Sequence, residues 1–288
     1  MLNLFYSESY WSGSQRMNGP RKLVNNLLSS LYQENISYAI NEEKYKFNFI
    51  VQYDYNGHER HSTLELENCV IGPQVWFFDE HVKFLKDHLD YFKCFVVPSK
   101  WVKDLAISKF GFPENKIEIW PVGIEISKLN KNVKYDCLVY FKRRSNEELK
   151  QVTDFLDNKK LTYNVITYGN YSESDLEILA SQSRFCFLLN GTESQGIAVQ
   201  EIMSANTPII SWDLLRWDDQ GPEWSVPATS VPYWSDECGE KFYELKDLDE
   251  TFKKFYDRIS EYSPQDYVEN NLSYKVSVNK LLEIFNAN

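Results

Sequence analysis

The stretch FCFLLNGTESQGIAVQEIMSANTPIIS, residues 185–211, changes character three times. Phe185–Leu189 is an apolar run of the length that a fully buried strand uses. Residues 190–195 are Asn, Gly, Thr, Glu, Ser and Gln, the composition of a turn. From Gly196 to Ala205 the apolar residues Val199, Ile202 and Met203 recur at i, i+3 and i+4, the period of a helix face. Asn206 suits a left-handed helix stop, and Pro208 opens the next apolar run. The segment reads as strand, turn, helix, strand. One carboxylate, Glu193, falls in the turn, and a second, Glu201, falls in the helix.

In an open parallel sheet the helix that follows a strand starts at the carboxyl edge, where ligands bind. Its N-terminus offers unsatisfied N–H groups and a partial positive charge, which suit a phosphate. Gly196 lets a ligand approach the backbone closely. Glu201 lies four residues after Ile197, on the same face, and helical side chains lean toward the N-terminus. Beside a phosphate this carboxylate repels. Beside a ribose diol it accepts two hydrogen bonds. Glu193 reaches the other side of the phosphates, where it can hold another hydroxyl-rich group. Sugar, diphosphate and ribose in that order make a nucleotide sugar.

The same alternation extends outward along the chain. Residues 2–6, 47–53, 69–73 and 94–99 read as strands, and 21–34, 79–92 and 100–111 as helices. Residues 124–135 are polar and aperiodic and read as a linker. Strands at 136–141 and 163–169 and helices at 145–159 and 172–183 then restart the pattern. Alternation of this kind marks parallel sheets covered by helices, and its restart predicts two similar α/β lobes. Residues 213–240, rich in Trp, Pro, Asp and Gly, read as a long ordered loop. Helices over 248–261 and 274–286 end the chain.

Bulk properties narrow the function. A chain of 288 residues suits two compact domains, and 43% hydrophobic residues supply their cores. A net charge of −11 argues against general nucleic-acid binding, which relies on neutralising phosphates. Five scattered cysteines without a CxxC read as reduced, buried thiols, and the expected location is cytoplasmic. No signal peptide or membrane-spanning segment is expected from the apolar patterning.

Glu193-x7-Glu201, embedded in ESQGIAVQE and followed by NTPII, resembles the E-x7-E motif of retaining glycosyltransferases with the GT-B fold. Three more stretches are similar to that family: 18–31, 96–125 and the long run from Val165 to Asp213. The resemblance implies two Rossmann-like parallel-sheet lobes facing a cleft. Residues 1–126 would form the acceptor-side domain and 127–262 the nucleotide-sugar domain. Residues 263–288 would form a C-terminal helix packing back on the first. It implies metal-independent transfer with retention from a UDP- or GDP-sugar, with no cofactor, to a glycan, protein or other hydroxyl acceptor. By the same resemblance Glu193 holds the donor sugar and Glu201 the ribose. Ser194, Gln195, Gly196 and Ile197 offer backbone to the donor. Arg143 or Arg144, with Lys150, takes the diphosphate. Tyr168 and Gly169 flank the base. Gly19 and His81 are the acceptor-side candidates. Ser194 stands where family members often carry an aromatic residue, and the second lobe has one βα unit fewer than usual.

Other signals read as structure. Asp247-Leu-Asp249 reads as a solvated helix start, and His58-x-x-His61 lacks further ligands for a metal. Trp212, Trp217, Trp224, Tyr233 and Trp234 read as loop packing more readily than as sugar-stacking platforms. Two alternatives to a transferase remain open. One is a glycoside hydrolase using Glu193 and Glu201, which needs carboxyls about 5–9 Å apart across one bond. The other is a non-catalytic nucleotide-sugar binding protein.

Overall fold

The computed structural model describes residues 1–6, 19–42, 47–52, 69–74, 79–87, 89–217 and 225–287. His58, His61 and Trp224 lie outside the described residues. The chain divides into two compact units. Unit 1 is Met1–Gly123 with Tyr274–Asn288, and unit 2 is Ile124–Ser273.

Unit 1 contains β1 (Leu2–Phe5), α1 (Gly19–Gln33), β2 (Tyr38–Ile40), β3 (Phe47–Gln52) and β4 (Cys69–Gln74). After these come α2 (Asp79–Asp87), β5 (Cys94–Val97), α3 (Lys100–Ser108) and β6 (Ile117–Ile119). All neighbouring strands are parallel, in the order β2-β1-β3-β4-β5-β6. The last helix of the chain, Tyr274–Asn286, belongs to this unit. It is pinned by buried Trp120, whose indole N–H donates to the Ser277 carbonyl at 3.0 Å. Phe49 meets Trp120 and Phe285 edge-on, at centroid distances of 5.2 and 6.2 Å.

Unit 2 contains β7 (Tyr135–Lys142), α4 (Asn146–Asn158), β8 (Tyr163–Thr167), α5 (Glu173–Gln182), β9 (Ser183–Asn190), α6 (Ile197–Ser204) and β10 (Ile209–Trp212). A small antiparallel pair, β11 (Arg216–Trp217) and β12 (Val226–Pro227), is followed by β13 (Gly239–Phe242), α7 (Leu248–Asp257) and α8 (Pro264–Leu272). The five-stranded sheet is parallel, in the order β13-β10-β9-β7-β8. Alternate residues of β7 serve opposite cores. Leu138 and Tyr140 face α5, α6 and α8, whereas Cys137 and Val139 face α4 and α7. The helices therefore cover both faces. The chain leaves β7 toward one face and β9 toward the other, so the topological switch point lies between these two strands.

Several elements differ from the sequence reading. The expected helix over 79–92 is α2 followed by a single 3-10 turn at Leu89–Tyr91. Short strands β2 and β6 and the polar helix α8 were not expected, because each is too short or too polar to show a period. β13 begins inside the segment expected to be loop. The chain returns to unit 1 at Tyr274, later than the expected boundary at 263, so α8 lies in unit 2. Ser99, the N-cap residue of α3, makes no side-chain capping bond. All five cysteines are free and buried, as expected.

A candidate anion and sugar site at the switch point of unit 2

Carbonyl and amide groups lock β7 to β9 at the carboxyl edge. Lys142 pairs with Asn190 in the parallel register, and the Gly191 amide donates to the Lys142 carbonyl at 2.8 Å. A Cβ on Gly191 would stand 3.0 Å from the Arg143 Cβ, so this close approach favours glycine. The turn then brings Glu193 back over the edge. Its carboxylate oxygen Oε1 is ion-paired with the Lys142 ammonium and accepts from Asn190 Nδ2 at 2.9 Å. Both Lys142 and Glu193 side chains are only 14% exposed. The Lys142 ammonium also lies over the Tyr168 ring, 4.3 Å from its centroid.

The turn is held from below by a second carboxylate. The Glu193 amide donates to the Thr229 carbonyl at 3.1 Å. Buried Asp213, at the end of β10, accepts from the Thr229 hydroxyl at 2.7 Å and from the Ser230 amide at 2.7 Å. Asp213 thus fixes the 229–230 segment that supports Glu193. Gln195 is buried, and its side chain and carbonyl are bonded to Gln200 at 3.1 and 2.9 Å, tying the turn to α6. Ser194 is exposed.

Gly196 is the N-cap of α6, with φ +79, a left-handed conformation that a side chain strains. It supplies no side-chain cap, and the first turn of α6 carries no acid. The helices α4 and α5, which start at the same sheet edge, are different. Ser145 and Glu148 close a capping box on α4, and Ser172 and Asp175 close one on α5. Of these three helix starts, that of α6 is the one left open to an external anion.

Glu201 is half-buried, one turn below that end. Tyr171 and Tyr140 share a hydroxyl–hydroxyl contact of 3.1 Å nearby. Burial pushes the Tyr171 phenol up to about 12, and the charges of Glu201, Tyr168 and Glu193 push the same way. Burial likewise raises Tyr140, which also feels Tyr171 and Glu193. The two phenols remain neutral hydrogen-bonding groups beside the carboxylates at neutral pH.

The two expected arginines part company. Arg143 adopts φ +52, is exposed, and makes no hydrogen bond or ion pair among the described residues. Arg144 is 6% exposed and fully engaged. Its guanidinium bonds Glu148, donates to the Trp212 carbonyl at 3.0 Å, and stacks over the Trp212 ring at 4.9 Å. Trp212 is itself buried, with its indole N–H on the Tyr243 carbonyl at 3.1 Å, so it packs the core. Lys150 is 72% exposed on α4 and pairs with Asp154, one turn along. The turn at Tyr168 and Gly169 (φ +85) follows β8 on the same edge. Gly19 begins α1 in unit 1. His81 lies on α2, and its side chain is outside the described residues. Asp249, expected at a solvated helix start, pairs with Lys159 at 2.9 Å.

Sequence reading did not single out Lys142, Asn190 or Asp213. Each is the last residue of a buried strand or the first beyond it, at the edge where parallel sheets bind ligands. That position was the available signal. Among the described residues no three His, Cys, Asp or Glu side chains converge as a metal site. No helix among them is long and apolar enough to cross a membrane.

No family model and no curated protein matches the sequence. Solved structures do match. The lipopolysaccharide outer core galactosyltransferase WaaB, in its apo form, superposes with a TM-score of 0.56 at 13% identity, covering 98% of this chain and 99% of that one. The sucrose-phosphate synthase of Thermosynechococcus elongatus gives a TM-score of 0.57 at 10% identity, with 99% and 98% coverage. S. aureus TarM, as a mutant in complex with fondaparinux, alpha-GlcNAc-glycerol and UDP, gives 0.56 at 13% identity. It is matched over 91% of this chain, which spans 59% of TarM. Together with the two parallel-sheet units, these likenesses show that the fold is GT-B.

Proposed function

We propose that unit 2 binds a nucleotide-diphosphate sugar and that the protein transfers the glycosyl group to a hydroxyl acceptor with retention, without a metal. One observation carries the reading. The uncapped N-terminus of α6 lies between Glu193 in the turn and Glu201 in the helix, on the sheet edge that also bears Lys142 and Arg143. In this reading the diphosphate sits on the amides after Gly196 and on Arg143. The ribose diol faces Glu201, the sugar faces Glu193, and Tyr168 and Gly169 flank the base. Of the two arginines we assign Arg143, because Arg144 is committed to Glu148 and the Trp212 carbonyl. The acceptor is assigned to unit 1, with Gly19 and His81 as its candidates. The GT-B fold and the glycosyltransferases that share it support the proposal.

The chemistry follows from charge placement. The bond from the anomeric carbon to the diphosphate oxygen breaks, and the electron pair stays on the diphosphate. The helix end and Arg143 stabilise that charge as it develops. The acceptor hydroxyl attacks from the same face, and its proton passes to the departing phosphate oxygen. Retention by this route needs no protein nucleophile. A hydrolase is less well served: Glu193 and Glu201 come from one strand–helix junction, and Glu193 is already held by Lys142 and Asn190.

Calorimetric titration of UDP, GDP and ADP, each with its sugar conjugates, into wild type and Glu201→Ala tests the proposal. One nucleotide should bind, and Glu201→Ala should weaken it by about 1–3 kcal/mol, the value of hydrogen bonds to a charged group. No nucleotide binding, or a mutant equal to the parent, would remove the assignment.

A further inference from the structure

Asn190 presents a stability problem. Its side chain is fully buried at the end of β9, and its Oδ1 has no hydrogen-bond partner among the described residues. A buried acceptor left unmade costs free energy, so packing alone does not favour an amide here. Its Nδ2 donates to Glu193 Oε1 at 2.9 Å. The same oxygen takes the Lys142 ammonium. Asn190 and Lys142 are register partners on adjacent parallel strands, joined by the Gly191 amide on the Lys142 carbonyl. The two donors therefore sit on rigid elements, and the acceptor sits on a turn. A glutamate in a turn has several rotamers to lose, and donors fixed by a sheet remove that freedom before a ligand arrives.

We infer that Asn190, with Lys142 beside it, is a positioning residue: it holds Glu193 in the orientation in which the carboxylate meets a hydroxyl of the donor sugar. The inference rests on the sugar-binding reading of Glu193 given above. It assigns Asn190 no contact with substrate. Its effect passes through Glu193 alone, so it belongs to the sugar and not to the nucleotide.

Calorimetry on the full chain separates these. The probes are UDP and GDP, against UDP-glucose, UDP-galactose, UDP-N-acetylglucosamine and GDP-mannose. The variants are Asn190→Leu, which keeps the shape and removes the donor, Asn190→Asp, which sets a second carboxylate against Glu193, Glu193→Ala, and the Asn190→Leu/Glu193→Ala pair. The ratio of nucleotide Kd to nucleotide-sugar Kd should fall about tenfold in both Asn190 variants, with the bare nucleotide held within about twofold. In the Glu193→Ala background Asn190→Leu should add nothing. Melting curves identify folded variants, and Asn190→Asp carries the test if Asn190→Leu does not fold. Equal loss of nucleotide and nucleotide sugar overturns the inference, as does a full effect of Asn190→Leu without Glu193. Wild type that binds no nucleotide at all removes the functional reading and the inference with it. Wild type that binds while both Asn190 variants match it removes the inference alone.

Discussion

Among the helices of unit 2 that begin at one edge of its sheet, α4, α5 and α6 begin in two ways. α4 and α5 start with a serine whose hydroxyl accepts from the third helical amide, while the acid there reaches back to the serine amide. These ends are closed by their own sequence. α6 starts from a left-handed glycine with no side-chain cap and no acid in its first turn. Of these three starts, the one left to a glycine has its partial positive charge open on the sheet edge that also bears Lys142 and Arg143. The neighbouring arginines divide along the same line: Arg144 closes the structure, and Arg143 stands exposed.

The largest expected effect falls on the closed side. Arg144→Ala strips partners from Glu148 and from the Trp212 carbonyl, and should cost about 2–3 kcal/mol in denaturant melts. Arg143→Ala should leave stability within about 0.5 kcal/mol of wild type. It should instead weaken nucleotide-diphosphate binding by about 2 kcal/mol in calorimetry. If the two effects are exchanged, the division between the arginines is wrong.

Gly196→Ala comes next. Its Cβ would meet Glu193 Cβ at 3.5 Å, an ordinary contact, so the cost comes from φ +79 and should be about 1–2 kcal/mol. Ser145→Ala opens the box on α4 and should cost about 1 kcal/mol without changing nucleotide affinity, because that end takes no ligand.

A pH-dependent effect concerns the opposite helix ends, where α5 and α6 are alike. Lys131 donates to the Ala180 carbonyl at 3.1 Å and to the Thr207 hydroxyl at 2.5 Å, with the Ala205 carbonyl at 3.5 Å. Burial lowers its ammonium to about 8 from 10.5. Between those values the unfolded chain holds a proton that the folded chain has released, so stability rises with pH across the window. The stability difference between wild type and Lys131→Met should therefore grow in favour of wild type from pH 8 toward 10.5, by at most about 1.4 kcal/mol per pH unit. A flat difference would show that the helix carbonyls hold the charge against burial.

The elements that carry this comparison were readable to different depths. Ser145-x-x-Glu148 announces a capped start, and Phe185–Leu189 announces a buried strand, because both signals are local. The Glu193-to-Glu201 spacing pointed to the open helix for the same reason. Lys142 and Asn190 were not readable as a pair, since their meeting depends on the register between β7 and β9 across an intervening βα unit. Arg143 and Arg144 are chemically identical neighbours, and the left-handed backbone at Arg143 is what separates them. The Asp213 support was hidden because its partners, Thr229 and Ser230, follow an aperiodic loop.

The most direct test of the open helix end is amide hydrogen exchange of the full chain with and without the nucleoside diphosphate that binds. Slower exchange at Ile197, Ala198 and Val199, with the first turns of α4 and α5 unchanged, is the predicted result. Unchanged exchange at α6 under saturating nucleotide, or equal protection at all three helix starts, would contradict the account.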